Sequence, residues 1–107
     1  MRWYYGGVRL VNHTIDEIIR IISPIAEKYG IERVYLFGSR ARGDNTSDSD
    51  YDFSIDPGRM DNILDFFSFI DELEEALGSE VDVVSRRSLK EDRFYRYMVA
   101  DEVVVYG

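Results

Sequence analysis

The sequence contains no cysteine and a single histidine, and both shortages exclude common kinds of site. Without cysteine there is no disulfide framework and no thiolate metal site. His13 has no second histidine to pair with, so we interpret it as a helix-entry residue without a chemical role. Neither a disulfide-stapled fold nor a histidine-paired centre fits this chain.

Long apolar runs and an excess of positive charge are also missing. No apolar run approaches the roughly 20 residues needed to cross a bilayer, and the start, MRWYYGGVRL, lacks the apolar core of a signal peptide. We therefore expect a cytoplasmic protein that makes no use of a membrane. The formal net charge of -8 argues against a surface that binds the nucleic-acid backbone. The expected ligand is therefore a cation or a basic partner.

The length and the order of patterns indicate one domain with an α/β arrangement. The 107 residues, 45% of them hydrophobic, suit a single compact domain over residues 1–107. Helical and strand patterns alternate along the chain. Helices are predicted from Thr14 to Tyr29, from Asp61 to Leu77 and from Ser88 to Ala100; the four strands are ERVYLF, DYDFSI, EVDVVS and EVVVYG.

Capping residues and apolar spacing support the three helices. Thr14 with Glu17, and Ser88 with Glu91, have the spacing of capping boxes. Pro24 is predicted to kink or restart the first helix. The apolar stripe predicted for the long helix consists of Ile63, Phe66, Phe67, Ile70, Leu73 and Leu77.

The stretch GDNTSDSDYDFSID, residues 43–56, crowds five aspartates into fourteen positions. Alternate residues of a strand share a face, so Asp50 and Asp52 are predicted on one face, opposite the core. Asp82 stands among valines in EVDVVS, and three carboxylates converge if the two strands are neighbours. Two such charges 4 Å apart repel by about 4 kcal/mol at an effective dielectric of 20. A divalent cation removes that cost, and hard oxygen ligands suit Mg²⁺ or Mn²⁺.

Gly38 and Ser39 are predicted to end one strand and open a helical turn whose exposed amides form a phosphate site. The following residues do not form a P-loop, because Asp44 and Asn45 stand where a lysine and a hydroxyl residue are required. An EF-hand loop also fails, because Phe53 replaces its glycine and Arg59 replaces its glutamate. A solvated acidic loop remains the plainer alternative.

Taken together, these residues resemble the minimal nucleotidyltransferases of the DNA polymerase beta superfamily. That family has a Gly-Ser pair after a strand, commonly extended as GSxARG, then about ten residues, then SDxD and a third acid on a later strand. The matching residues here are Gly38, Ser39, Ala41, Arg42, Gly43, Ser49, Asp50, Asp52 and, as the third acid, Asp82. The resemblance covers nearly the whole chain and departs slightly at Phe53, where an aliphatic residue is more common. It implies a polymerase-beta-like fold with a small mixed sheet of about four strands flanked by helices.

The resemblance also implies a reaction. It is the Mg-dependent transfer of a nucleoside monophosphate, most often AMP from ATP, to a hydroxyl, with two metal ions and pyrophosphate leaving. By this mapping Asp50 and Asp52 ligate metal and triphosphate, while Gly38 and Ser39 hold the terminal phosphates. Asp82 completes the acceptor-side metal and helps to take the hydroxyl proton.

The acceptor must come from outside so short a chain. Stand-alone members resemble the antitoxin of paired HEPN and minimal-nucleotidyltransferase systems, which modify a tyrosine of the partner toxin. Our leading hypothesis is an adenylyltransferase acting on a protein tyrosine. Two alternatives stay open: an antitoxin that neutralises its partner by binding alone, and transfer to a small molecule such as an aminoglycoside.

Several residues keep two interpretations. Arg42 either stabilises charge on the phosphates or caps the turn, Asp82 alone could be an edge-strand charge that blocks aggregation, and Asp48 is a further carboxylate of open role. The basic run Arg86, Arg87, Lys90, Arg93 and Arg96 either docks an acidic partner, reaches phosphate, or is a solvated helix face. Tyr95, Tyr97 and the aromatic residues of the long helix are expected to be core or partner contacts instead of a base-stacking platform.

Overall fold

The computed structural model describes residues 4–5, 8–9, 13–89 and 93–107. In chain order the elements are β1 (Tyr4–Tyr5), β2 (Val8–Arg9), α1 (Ile15–Lys28), β3 (Arg33–Phe37), α2 (Ser39–Arg42), β4 (Tyr51–Asp56), α3 (Ile63–Leu77), β5 (Val81–Ser85), a 3₁₀ turn (Arg86–Ser88), α4 (Arg93–Ala100) and β6 (Val103–Tyr106). None of the helices within these residues is long and apolar enough to cross a membrane.

The main sheet is mixed and has the strand order β5-β4-β3-β6. Strand β3 pairs antiparallel with both β4 and β6. Strands β4 and β5 run parallel, and α3 lies between them in the chain as the crossover that a parallel pair requires. The predicted four-stranded mixed sheet with flanking helices is confirmed, and the short pair of β1 and β2 was not predicted.

The hydrophobic core lies between one face of the sheet and the helices α1 and α3. Tyr51, Phe53 and Ile55 of β4 are almost completely buried there, as the alternation of the strand predicts. Facing them are the buried side chains of α1 and α3, which are Ile18, Ile22, Ala26, Phe69, Leu73 and Leu77. Because the odd-numbered side chains of β4 fill the core, its even-numbered residues are left for the opposite face.

The face that helix α3 buries overlaps only in part with the predicted apolar stripe. Phe69, Leu73 and Leu77 lie in the core, whereas Ile63 and Phe67 are exposed and Phe66 is partly buried. The run ILDFFSFI is apolar on nearly every side, so its spacing does not single out one face. Contact with α1 and β5 selects the face that is buried.

The ends of α1 follow the sequence signals. Thr14 accepts a hydrogen bond from the Glu17 amide while the Glu17 side chain accepts one from the Thr14 amide, so the predicted capping box is confirmed. The helix continues through Pro24, and the predicted restart there is wrong. In the second predicted capping box Glu91 lies outside the described residues, as does Lys90 of the basic run.

Arg86 connects the sheet face opposite the core to the segment that contains α4. Its guanidinium lies 3.9 Å from the centre of the Tyr35 ring and donates hydrogen bonds to Glu102 at 2.6 Å and to Tyr95 at 3.1 Å. It also donates to the buried hydroxyl of Ser54 at 3.3 Å. Arg86 is therefore a structural residue and not part of a solvated helix face, unlike Arg93 and Arg96, which are exposed on α4.

Candidate active site

Two of the three predicted acids meet on the sheet face that is turned away from α1 and α3. Asp52 of β4 and Asp82 of β5 are direct partners in the parallel register, and their side chains lie close enough for the charge of Asp82 to act on Asp52. Asp50 is exposed one residue before β4, near enough for its charge to act on Asp52. Within the described part of the chain, no three acidic or histidine side chains form a ready-made metal cluster.

Asp52 is the electrostatically unusual member of the pair. Burial raises the pKa of Asp52 from 3.8 to about 6, and the negative charges of Asp82 and Asp50 add to the rise. Arg42 opposes it with its positive charge. The free protein thus holds a carboxylate whose charge is not fully compensated by its surroundings.

The Asp52–Asp82 pair predicts a pH dependence of stability in the absence of divalent metal. The pKa of Asp52 is higher in the folded state than its ordinary value of 3.8, so the folded protein binds the proton more tightly. The contribution of this group to the free energy of unfolding is therefore largest below pH 4, falls as the pH rises towards about 6, and is then constant. Because Asp52 is half-exposed, we expect a change on the order of 1 kcal/mol.

Urea unfolding with a chelator at several pH values measures this change. The difference in unfolding free energy between Asp52→Asn and the unsubstituted protein should be near zero at pH 4 and grow up to pH 6 to 7. A difference that is constant across this range would contradict the assignment.

Gly38 forms the corner beside the two acids. It follows β3 directly, caps the N-terminus of α2, and has φ 76° and ψ -157°, a conformation that is essentially limited to glycine. A Cβ atom at this position would lie 2.4 Å from Oδ2 of Asp52. The main chain at Gly38 therefore lies directly against the Asp52 carboxylate. The turn at Gly38 and Ser39 occurs where the sequence predicts it.

An open cavity of about 610 Å³ joins the acids to this corner. Part of its lining consists of Gly38, Ser39, Arg42, Asp52 and Asp82. The rest of its wall is formed by Phe37, Val83, Val84, Phe94 and Tyr97. Five of the six residues predicted for catalysis or phosphate binding thus line one cavity, and Asp50 is not among its lining residues.

Arg42 stands at the rim of the cavity with several acceptors. Its Nε donates to Asp44 at 3.1 Å, and its Nη1 donates to the Tyr97 hydroxyl at 3.4 Å and lies 3.9 Å from Asp101. The side chain is held pointing across the cavity mouth, while the end of α2 is closed by the Gly43 amide, which donates to the carbonyl of Ser39. A role for Arg42 toward phosphate stays a prediction.

Arg40 is the residue that the sequence reasoning missed. It is buried in α2, lies 4.0 Å from the centre of the Tyr51 ring, and donates to the carbonyl of Ser49 through two nitrogens at 2.8 and 3.1 Å. Further contacts of 3.4 Å reach the carbonyls of Thr46 and Ser47. Arg40 thereby fixes the loop that leads to Asp50 and Asp52. The sequence signal that could have indicated this role is an arginine next to a loop rich in aspartate.

Removing this anchor should weaken both the fold and the site. Arg40→Met removes the hydrogen bonds from the buried guanidinium to the carbonyls of Ser49, Thr46 and Ser47, and we expect the free energy of unfolding to fall by about 2 to 3 kcal/mol. Urea denaturation compares it with Arg20→Met, whose parent side chain is exposed on α1 and whose replacement should cost less than about 0.5 kcal/mol. Equal losses in the two variants would show that Arg40 does not hold the loop.

For Tyr97 the structure excludes one of the two expected roles, which were core contact and partner contact. Tyr97 is not a core residue: its side chain is 60% exposed and it lines the cavity, as does Phe94, which is 47% exposed. Tyr95, on the next face of the helix, contacts Arg86 as a structural residue. The sequence gives all three the same aromatic character, so only the docking of α4 separates them.

The donor set fits a hard divalent cation. Asp52 and Asp82 are register partners on neighbouring strands, and burial together with the charge of Asp82 raises the pKa of Asp52. Oxygen ligands with uncompensated negative charge are those that Mg²⁺ and Mn²⁺ prefer. With Asp50 adjacent to the pair, the predicted ligand residues are compatible with such an ion.

Comparisons with known proteins agree with the predicted family and fold. Residues 20–107 match the family described as polymerase beta nucleotidyltransferase. A relative from Methanocaldococcus jannaschii, provisionally named a protein adenylyltransferase, is 43% identical over 75 residues, which cover 70% of this chain and 81% of the relative. The protein adenylyltransferase MntA of Thermococcus cleftensis is 35% identical over 81 residues, which cover 72% of this chain and 82% of MntA.

A solved structure shares the architecture at lower sequence identity. It is described as a tri-AMPylated HEPN toxin of Shewanella oneidensis in complex with MNT antitoxin. The similar chain in it has a TM-score of 0.67 and 20% identity, with 88% of this chain and 73% of that chain covered. At this identity the likeness concerns the fold alone.

Proposed function

This chain belongs to the polymerase beta nucleotidyltransferase family, and from that premise we propose that it transfers AMP from ATP to a tyrosine hydroxyl of a HEPN-type toxin and so acts as an antitoxin. The observation that carries the proposal is the contact of Asp52 and Asp82 beside the Gly38 corner. The adenylyltransferase names of the relatives support AMP as the group that is moved. The complex of an AMPylated HEPN toxin with MNT antitoxin supports the kind of partner.

The acids divide the work of the proposed reaction. Asp50, Asp52 and Asp82 are the residues that would hold two Mg²⁺ ions, with Mn²⁺ as a substitute; when bound, these ions neutralise the triphosphate and favour loss of the acceptor proton. Asp82, exposed at the edge of the sheet, receives that proton from the tyrosine hydroxyl.

The phosphate end of the cavity orients the nucleotide. Gly38 lets the main chain approach closely, and Ser39 and the amides that open α2 face the terminal phosphates of ATP. Arg42, already positioned across the cavity mouth, adds positive charge there. In this proposal, residues 1–107 form one nucleotidyltransferase domain. The protein acts in the cytoplasm, where ATP is available.

Transfer to the partner tests the proposal directly. The protein is incubated with Mg²⁺, ATP labelled on the α-phosphate, and the product of the neighbouring gene as the candidate HEPN-type partner. We expect label on a tyrosine of that protein, with pyrophosphate released. No labelling with any nucleoside triphosphate, in Mg²⁺ or Mn²⁺, would overturn the proposal.

A second experiment separates chemistry from binding. A variant that carries both Asp50→Asn and Asp52→Asn is tested for partner binding and for protection of cells against the toxin. Loss of protection with binding retained is expected. Full protection by this variant would instead assign neutralisation to binding alone.

A further inference from the structure

We propose that Phe94 and Tyr97 form a stacking platform for the base of the nucleotide. The inference deepens the proposed function and rests on it. Phe94 and Tyr97 are three residues apart on α4 and therefore share a helical face. Both rings are about half-exposed or more, at 47% and 60%, and both line the cavity that contains Asp52 and Asp82. Large aromatic side chains exposed on a cavity wall are typical of a ligand surface.

The lining of the cavity matches the two parts of a nucleotide. The charged side chains of Arg42, Asp52 and Asp82 lie in the same cavity as Gly38 and Ser39, the residues proposed to hold the phosphates. The remaining wall is apolar or aromatic, as a planar base requires. The volume of about 610 Å³ lies within the range of roughly 300 to 1,000 Å³ that small-molecule sites occupy.

Both rings are held in fixed relation to the phosphate end. Phe94 packs edge-on against Phe37, with ring centres 6.5 Å apart and planes at 85°, and Phe37 directly precedes Gly38. The Tyr97 hydroxyl accepts a hydrogen bond from Arg42 at 3.4 Å. The platform is thus tied to the same corner of the fold that is proposed to hold the phosphates.

The chemistry of this wall predicts how bases are discriminated. Of its described residues Phe37, Val83, Val84, Phe94 and Tyr97, only Tyr97 carries a polar side-chain atom. Stacking tolerates every base because each has a π-face, and a purine offers more of it than a pyrimidine. We therefore expect ATP and GTP to bind within about threefold of each other, and CTP and UTP to bind more weakly.

Calorimetry with two kinds of ligand tests the platform. Mg²⁺ with ATP, and Mg²⁺ with inorganic tripolyphosphate, are titrated into the unsubstituted protein, Tyr97→Ala and Tyr97→Phe. We expect Tyr97→Ala to weaken ATP binding by about 5- to 150-fold and to leave tripolyphosphate binding unchanged. Tyr97→Phe, which keeps the ring, should bind ATP as the unsubstituted protein does. Phe67→Ala, which removes a similarly exposed ring from α3 outside the cavity, is the matched control.

The outcomes distinguish the platform from the phosphate site. Unchanged ATP affinity in Tyr97→Ala, or an equal loss for ATP and tripolyphosphate, overturns the platform while the proposed transfer can stand. Unchanged ATP affinity with reduced transfer to the partner also overturns it and assigns the rings to the acceptor. If the unsubstituted protein binds neither ligand, the proposed function itself fails.

Discussion

Asp52→Asn is expected to abolish nucleotidyl transfer and at the same time to stabilise the free protein. Asparagine keeps the size of the side chain but removes the charge that a divalent ion and a triphosphate require, so the rate should fall by on the order of 10³-fold or more. In the free protein the same change removes repulsion by Asp82 and Asp50 and the cost of burying a charge. We expect a gain on the order of 1 kcal/mol at pH 7 without divalent metal.

The opposite signs of these two effects are the useful feature of the experiment. A variant that loses activity because it unfolds would lose stability as well. Transfer is measured with labelled ATP, and stability by urea unfolding in the presence of a chelator. The matched control is Asp48→Asn, in an exposed turn four residues before Asp52, which should change neither quantity. Retention of normal transfer by Asp52→Asn would remove the central role given to this carboxylate.

Gly38→Ala is expected to produce the second large effect. A methyl group there would meet Oδ2 of Asp52 at 2.4 Å, and the residue would also need a main-chain conformation that L-residues rarely adopt. Either the turn or the carboxylate must move. We expect a destabilisation of about 2 to 3 kcal/mol and a loss of transfer of about 10²-fold or more, because displacement of a reacting group by about 1 Å is sufficient for a loss of that size.

Gly43→Ala provides a matched control at the other end of α2. Gly43 also has a positive φ, 85°, but a Cβ atom there meets nothing within 4 Å. Gly43→Ala should therefore lose only the stability that the main-chain conformation costs an L-residue, about 1 kcal/mol, and should retain nearly normal transfer. If both variants lost transfer to the same extent, the contact with Asp52 would not be the cause. Thermal or urea unfolding with the labelled-ATP assay measures both variants.

Local signals predicted the elements that place the site. The capping box at Thr14, the glycine after β3 and the alternation through Tyr51, Phe53 and Ile55 each depend on neighbouring residues, and the structure confirms all three. The neighbouring position of β4 and β5 was an assumption, because no local pattern fixes which strands pair. The structure confirms that β4 and β5 are neighbours, and this pairing places Asp82 next to Asp52. No spacing in the sequence requires the two residues to be close.

The features that sequence could not supply depend on how elements dock. Arg40 and Arg42 stand two residues apart in the same short run, yet one is buried beneath the acidic loop and the other lies across the cavity mouth. In the sequence Arg86 cannot be distinguished from the other basic residues, and its structural role is evident only from its ion pair with Glu102. In α3 the apolar residues are so numerous that the buried face is set by α1 and β5, and not by the pattern.

The separation of the two acids along the chain also has a consequence for the protein while it is being made. Asp52 and Asp82 belong to strands that become neighbours only after the intervening helix has crossed the sheet. An unfinished or unravelled chain holds carboxylates at unrelated distances, with no place where a nucleotide and a metal could meet. We therefore expect the proposed chemistry to require the pairing of β4 with β5, and chains in which that pair has not formed to be inactive with ATP.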